Sequence, residues 1–258
     1  MLIDTHCHLD APEFDADRDE VVSRAESAGV GQIVVPAITE ATFDATLSMR
    51  ERYGCPVALG LHPIYERAHR HAHLLRLRTL LEAQRPIAVG EIGLDFFVEG
   101  LDATRQTELF AEQLKLARDF DLPVLLHVRK SQDQVLKQLR RFGVTKGIAH
   151  AFNGSPQQAD AYIRQGFKLG FGGTLTFERA LNIRRLACDL PLEAIVLETD
   201  APDIPPEWAY RQRNEPAYLG RIAEQLAMLR GISVDKLVLA TGDNARQVLP
   251  GLAGPAVV

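Results

Sequence analysis

Apolar residues fall along the chain in short, almost unbroken runs: Leu2–His6, Gln32–Pro36, Val57–Leu61, Ile87–Glu91, Pro123–Val128, Gly147–His150, Phe167–Phe171 and Ala194–Thr199. Val, Ile and Leu dominate them. They are too apolar to leave one face in water, as expected of parallel strands covered on both sides. Between them lie longer stretches with helical spacing, such as Asp17–Ala28, Thr104–Phe120, Ser131–Phe142 and Pro156–Gln165. Ser131 stands at an N-cap position, and Gly29, Gly143 and Gly166 stand just beyond helix ends.

Eight strands alternating with helices within about 200 residues predict an α/β fold, a TIM-like (β/α)8 barrel. A doubly wound open sheet would alternate in the same way, but no GxGxxG follows the first run. No linker or low-complexity tract interrupts the pattern, so residues 1–258 read as one domain. The last ~40 residues read as two helices, Glu215–Leu229 and Val234–Leu239, closing the barrel ahead of a frayed Gly/Pro/Ala tail.

Charge and cysteine content narrow the setting. With 29 Lys and Arg against 34 Asp and Glu, the net charge is −5. That argues against a broad basic surface wrapped round a nucleic-acid duplex, and leaves open an anionic substrate held through bound cations. Cys7, Cys55 and Cys188 are widely spaced without a CxxC, which fits a reducing compartment better than a disulfide framework or zinc knuckle. MLIDTHCHLD has no signal-peptide pattern, and no apolar run approaches the ~20 residues that span a bilayer. The expectation is a cytoplasmic protein, monomeric and without membrane contact.

The ionisable residues collect at the ends of the runs. His6 and His8 lie at the end of the first, His62 after the third, Glu91 at the end of the fourth, His127 in the fifth, His150 at the end of the sixth, and Asp200 after the eighth. In a barrel the C-terminal ends of all strands converge on one face, so residues far apart in sequence become neighbours there. The spacing of His6 and His8 suits chelation, with Cys7 directed away. Imidazoles and carboxylates inside an apolar barrel are costly unless paired or coordinated, which points to a metal site. Mixed His/carboxylate donors without thiolate suit Zn²⁺, Mn²⁺, Co²⁺, Ni²⁺ or Fe²⁺, while Mg²⁺ prefers carboxylate and water. Six donors crowd one ion, so two cations bridged by Glu91 are the more natural arrangement. Two ions about 4 Å apart can activate a water and clamp both oxygens of a phosphodiester displacement.

Arg129, two residues after His127, could fork onto a phosphate or form a rim salt bridge. Asp95, in the segment GEIGLDF taken as a loop, could orient a ligand or cap that loop. His62 could bind substrate or metal. Asp4 and Glu198 are candidates for hydrogen bonds behind the ligands. His69, His71 and His73 read as a solvated loop and helix start. Gly170–Gly173 reads as a tight strand exit, and Trp208 as a stacking wall of the cleft or as loop packing.

These residues sit in six motifs: IDTHCHLD, ALGLHP, AVGEIGLDF, LPVLLHVR, HAFNGS and LETDAP. In this order they resemble the TatD family of metal-dependent deoxyribonucleases, within the amidohydrolase-like hydrolases, over Ile3 to about Leu249. The resemblance implies a barrel with two divalent cations (Mg²⁺, Mn²⁺ or Zn²⁺). It implies His6, His8, Glu91, His127, His150 and Asp200 as ligands, Glu91 as the bridge, and His62 near the substrate phosphate. Val128 and Ala151 stand where the family often has other residues; neither replaces a ligand. The implied reaction is exonucleolytic hydrolysis of DNA, single-stranded or at ends, in the 3′–5′ direction, with Asp200, Glu91, His62 and Arg129 as the catalytic set. Two alternatives stay open: hydrolysis of another ester or amide, such as a D-aminoacyl-tRNA ester, and a non-catalytic metal-binding protein.

Overall fold

The apolar runs fold into strands in chain order, in a computed structural model that describes residues 1–252. Strand β1 (Leu2–Asp4) pairs in parallel with β2 (Val30–Ile33). A seven-stranded parallel sheet follows: β3 (Val35–Pro36), β4 (Val57–Leu59), β5 (Ala88–Asp95), β6 (Val124–Arg129), β7 (Gly147–Ala149), β8 (Phe167–Phe171) and β9 (Ile195–Leu197). β2 and β3 are one run interrupted only at Val34, which donates to Asp4 O and accepts from Cys7 N. The Thr5 N–H and hydroxyl both donate to Leu197 O, joining the last strand to the first. The result is the TIM-like barrel that the alternation predicted.

Strand alternation explains both the core and the site above it. Ile3, Val34, Ala58, Ala88, Leu125, Ile148 and Val196 form one buried cluster drawn from almost every strand position round the ring. The residues beside them, such as Leu59, Val89, Val124, Leu126 and Leu197, join the larger core facing the helices. Two residues on from Leu125 and Ile148 come His127 and His150, and four on from Ala58 and Val196 come His62 and Asp200. Period-2 alternation therefore carries the inward column from an apolar floor up to the ionisable layer.

Helices α1 (Arg18–Ser27), α4 (Ala103–Asp119), α5 (Gln132–Phe142) and α6 (Pro156–Arg164) lie within two residues of the expected spans. Helices α2 (Phe43–Tyr53), α3 (His71–Gln84), α7 (Leu181–Asp189) and α8 (Leu219–Arg230) complete the outer ring. The final helix differs from expectation: α9 runs Val234–Val248, well past Leu239. Asn244 in this extension donates to Leu192 O and Ile195 O, and Ala245, Val248, Leu249 and Leu252 pack against the floor cluster. Tertiary burial outweighs the weak helix propensity of Gly242 and Asp243. Much of the expected Gly/Pro/Ala tail, from residue 253 on, lies outside the described residues.

Two local expectations change. Ser131 occupies the N-cap position of α5 but donates its hydroxyl to Leu94 O rather than capping the helix. The segment GEIGLDF is strand as far as Asp95, because Ile92–Asp95 pair with Leu126–Arg129 after a register shift. Gly93 sits at φ +150°, and a Cβ there would lie 1.9 Å from His127 O. Gly93→Ala should therefore cost on the order of 3 kcal/mol in urea denaturation, by forcing β5 and β6 apart. A loss below about 0.5 kcal/mol, the range of a neutral surface change, would contradict this packing.

Candidate metal centre

One buried carboxylate organises the C-terminal face of the barrel. Glu91 Oε1 lies 3.1 Å from His62 Nε2, 3.1 Å from His127 Nδ1 and 3.0 Å from His150 Nε2. Its Oε2 lies 3.2 Å from His6 Nε2 and 3.4 Å from His8 Nε2. Asp200 Oδ1 completes the second group, 3.6 Å from His6 and 3.7 Å from His8. The two oxygens of Glu91 thus face two donor groups, which meet where the His6 and His150 rings stack at 3.9 Å. His6 and His8 reach this position although β1 ends at Asp4, while Cys7 between them is buried in the outer core.

The ring nitrogens have assignable roles. His8 Nδ1 lies 3.2 Å from Pro36 O, which can only accept, so its Nε2 lone pair is left for the centre. His127 Nε2 lies 2.9 Å from Asp95 Oδ2, which directs its Nδ1 lone pair inward. His62 differs, because its Nδ1 accepts from Ile64 N. A neutral His62 therefore carries its proton on Nε2 and donates to Glu91. His6 Nδ1, His150 Nδ1 and Glu198 Oε2 are buried without a hydrogen-bond partner among the described residues.

The donor set fits divalent cations. His6 Nε2 and His8 Nε2 face each other at 3.4 Å beside two carboxylate oxygens. One proton can serve only one of those nitrogens, whereas a cation accepts every lone pair at once. Three groups bring their donor atoms within 4.8 Å of one another: His6–Glu91–His150, His6–His8–Asp200 and His62–Glu91–His127.

Burial sets the electrostatics, and the cluster modifies them. Burial pushes Glu91 up, but His62, His150 and His6 hold its carboxyl well below the usual range. Burial, reinforced by His150, lowers His6 to about 3, and burial lowers His62 to about 4 against the pull of Glu91. Burial also opposes charge on His8, yet Glu91 and Asp200 raise it to about 9. Asp200 is raised to about 6 by burial, against His150 and His8. Asp95 is held at about 2: burial pushes it up, but His127 and the N–H groups of Val98 and Phe97 overcome that.

The sequence model of the TatD-related DNase family matches residues 3–250. The chain belongs to that family. It is similar to the uncharacterized metal-dependent hydrolase YjjV of Escherichia coli K12, 42% identical over 94% of this chain and 95% of the relative. It is also similar to the human deoxyribonuclease TATDN3, 33% identical over 97% and 95%. The crystal structure of E. coli YjjV, a TatD homologue, superposes with a TM-score of 0.94 at 40% identity, covering 97% of this chain and 98% of that one. A TatD-family hydrolase structure from Entamoeba histolytica shares the fold, with a TM-score of 0.85 at 21% identity over 96% and 97%.

Within this TatD barrel, all six residues expected as ligands converge, and His62 joins them. Arg129 does not: its guanidinium lies 3.8 Å over the ring of Phe97. Asp95 serves both roles considered for it, bonding His127 with Oδ2 while Oδ1 accepts from Phe97 N and Val98 N. Glu198 accepts from Ala151 N and lies 3.7 Å from His150 Nδ1. Gly170 makes room for Glu198, since a Cβ would fall 2.0 Å from its Oε2. Trp208, half-buried, packs edge-on against Tyr218 with Arg221 over its ring. His69 is buried, not solvated, with Nε2 2.9 Å from His62 O. It anchors the backbone of His62, whereas His71 and His73 begin α3 as expected.

Sequence reasoning missed the polar residues behind the strand ends. Gln106 and Gln113 on α4 are buried and bond both backbone groups of Asp95 and of Leu61 respectively. Asn214 donates to Thr199 O, Asp203 O and Ile204 O, anchoring the proline-rich loop after Asp200. Glutamines seven residues apart on an apolar helix face were the available signal. Asp4 accepts from His6 N, Thr199 N and the Thr199 hydroxyl, linking the segment of His6 and His8 to the one that carries Asp200.

Burial raises Asp4 to about 8, against its hydrogen bonds to Thr199 and His6. A folded-state pKa above the unfolded one means stability that is full below pH 4 and lost as pH rises through about 8. The slope of that loss is about 1.4 kcal/mol per pH unit. Asp4→Asn keeps the acceptor and removes the titration. Urea denaturation of the metal-free protein should therefore show a flatter pH dependence for the variant between pH 5 and 8, and parallel curves would refute the assignment.

Proposed function

We propose that this chain is a divalent-metal-dependent hydrolase of phosphodiesters, a deoxyribonuclease acting on single-stranded DNA or DNA ends. The observation that carries this reading is the division of donors about Glu91. His6, His8 and Asp200 lie on the Oε2 side, and His127 and His150 on the Oε1 side. That division suits two cations bridged by one carboxylate. Bound there, divalent ions supply positive charge to the phosphoryl oxygens and lower the pKa of a water. Family membership and the deoxyribonuclease relative favour DNA over other esters.

The side chains then have distinct tasks. Asp200 turns Oδ1 toward His6 and His8, which leaves Oδ2 to take a proton from the attacking water. The water oxygen forms a bond to phosphorus as the phosphorus–3′-oxygen bond breaks, the leaving oxygen takes a proton from solvent water, and Asp200 returns its proton to solvent. Glu91 keeps the two donor groups in register. Asp95 orients His127 through Nε2, Glu198 stands behind His150, and His62, near the position of the substrate phosphate, donates from Nε2 to Glu91 Oε1 and fixes that oxygen. Arg129 adds positive charge at the rim. Two residues of the cluster, His8 and His127, are partly accessible, which gives a substrate a route to an otherwise buried centre.

The reading predicts release of nucleotides from single-stranded DNA after stripping and reloading with Mg²⁺ or Mn²⁺. Asp200→Asn should lower kcat by about 10²–10⁴-fold, the scale of a lost general base. Absence of release with every divalent ion tested would sink the nuclease claim, and turnover of aminoacyl esters instead would transfer the site to the alternative reaction. Metal content should approach two ions per chain, and Glu91→Gln should lower the affinity for both in calorimetric titration. A variant that loses one ion and holds the other unchanged would exclude Glu91 as a bridge.

A further inference from the structure

Next to the metal centre stands a group of residues of which the hydrolytic step uses only the rim charge of Arg129. Phe97, two residues beyond β5, is 46% exposed, a large aromatic facing solvent. The Arg129 guanidinium lies 3.8 Å from its ring centroid and Lys130 Nζ lies 4.8 Å from it, and both cations are exposed. Lys130 adopts φ +53°, the left-handed region that side-chain-bearing residues disfavour, at the point where the chain leaves β6. Strain of this kind persists where the surrounding structure holds a residue in place.

The platform is coupled to the centre through one carboxylate. Asp95 Oδ1 accepts from Phe97 N at 2.8 Å and Val98 N at 3.0 Å, and Asp95 Oδ2 lies 2.9 Å from His127 Nε2. From the other strand, Arg129 O accepts from Phe96 N at 2.9 Å. The turn carrying Phe97 is therefore fixed to the same histidine that faces Glu91. Aromatic and basic side chains combined on a rigid turn bind an unpaired base by stacking and its phosphate by charge. A duplex offers no free base face to such a platform, and the net charge of −5 provides no broad basic surface for one.

We propose that Phe97, Arg129 and Lys130 form a subsite for the nucleotide flanking the cleaved bond of single-stranded DNA. The base stacks on the Phe97–Arg129 pair, and its phosphate is held by Arg129 and Lys130. This rests on the nuclease reading for its substrate, but it can be tested by binding alone.

Fluorescence anisotropy of the metal-loaded full chain with a labelled phosphorothioate hexathymidylate, which resists cleavage, gives the readout. Phe97→Ala and Lys130→Ala should each weaken binding about tenfold, and Phe97→Tyr should restore it. With an abasic hexamer of the same backbone, Phe97→Ala should bind as wild type does, while Lys130→Ala remains weakened. Arg141→Ala removes a cation from Phe142 at the C-terminal end of α5 and should leave both affinities within about twofold. The proposal is overturned if Phe97→Ala and Lys130→Ala both hold hexathymidylate within about twofold of wild type. It also falls if Phe97→Ala weakens the abasic and thymidylate strands equally. Failure of wild type to cleave DNA while binding still depends on Phe97 would remove the nuclease reading and leave the subsite standing. Cleavage without that dependence would do the reverse.

Discussion

Burying the Glu91 carboxylate at the centre of a barrel is the constraint from which the rest of the site follows. An ionised carboxylate deprived of water is unstable unless donors or cations surround it. Five histidines from four other strand ends approach its two oxygens. Each of those strands must then stop, turn or shift register at the right height. β5 shifts between Val89 and Ile92, and β1 ends at Asp4 so that His6 and His8 can turn inward.

The support behind the cluster is polar and as buried as the cluster itself. Asp4 ties the His6 backbone to Thr199, Asp95 ties His127 to the Phe97 turn, and Glu198 lies behind His150. His69 holds the His62 carbonyl, and Gln106 and Gln113 reach from α4 to the ends of the strands. This outer network fixes the positions of the clustered side chains, since a site that holds an ion or substrate tolerates little displacement. The strain at Lys130 and at Asp200 (φ +58°) lies in the same layer, where local conformational cost is offset by the surrounding packing.

Most of the architecture was legible in the one-dimensional pattern, for a physical reason. Strands covered on both faces must be apolar throughout, so a charged or imidazole side chain at the end of such a run stands out. His127, His150 and Asp200 were visible in that way, and Glu91 ends a run that the folded chain then extends to Asp95. The length of α9 was not legible, because the burial of Asn244 and Val248 against the barrel floor depends on partners far away in sequence. Nor was the burial of His69 legible, since its ring meets the carbonyl of His62, seven residues earlier, only through the fold of the intervening loop.

The sequence by itself determined the strand–helix alternation, the barrel and which ionisable residues stand at the strand ends, because periodicity and residue type are local properties. Tertiary structure alone decided which oxygen of Glu91 each histidine faces and which ring nitrogen is free. It also placed His62 as a donor through its contact with Ile64 N, and Arg129 on Phe97 rather than at the centre. Those outcomes depend on the closure of the ring and on packing between segments as distant as Asp4 and Thr199. Spacing along the chain carries no record of either.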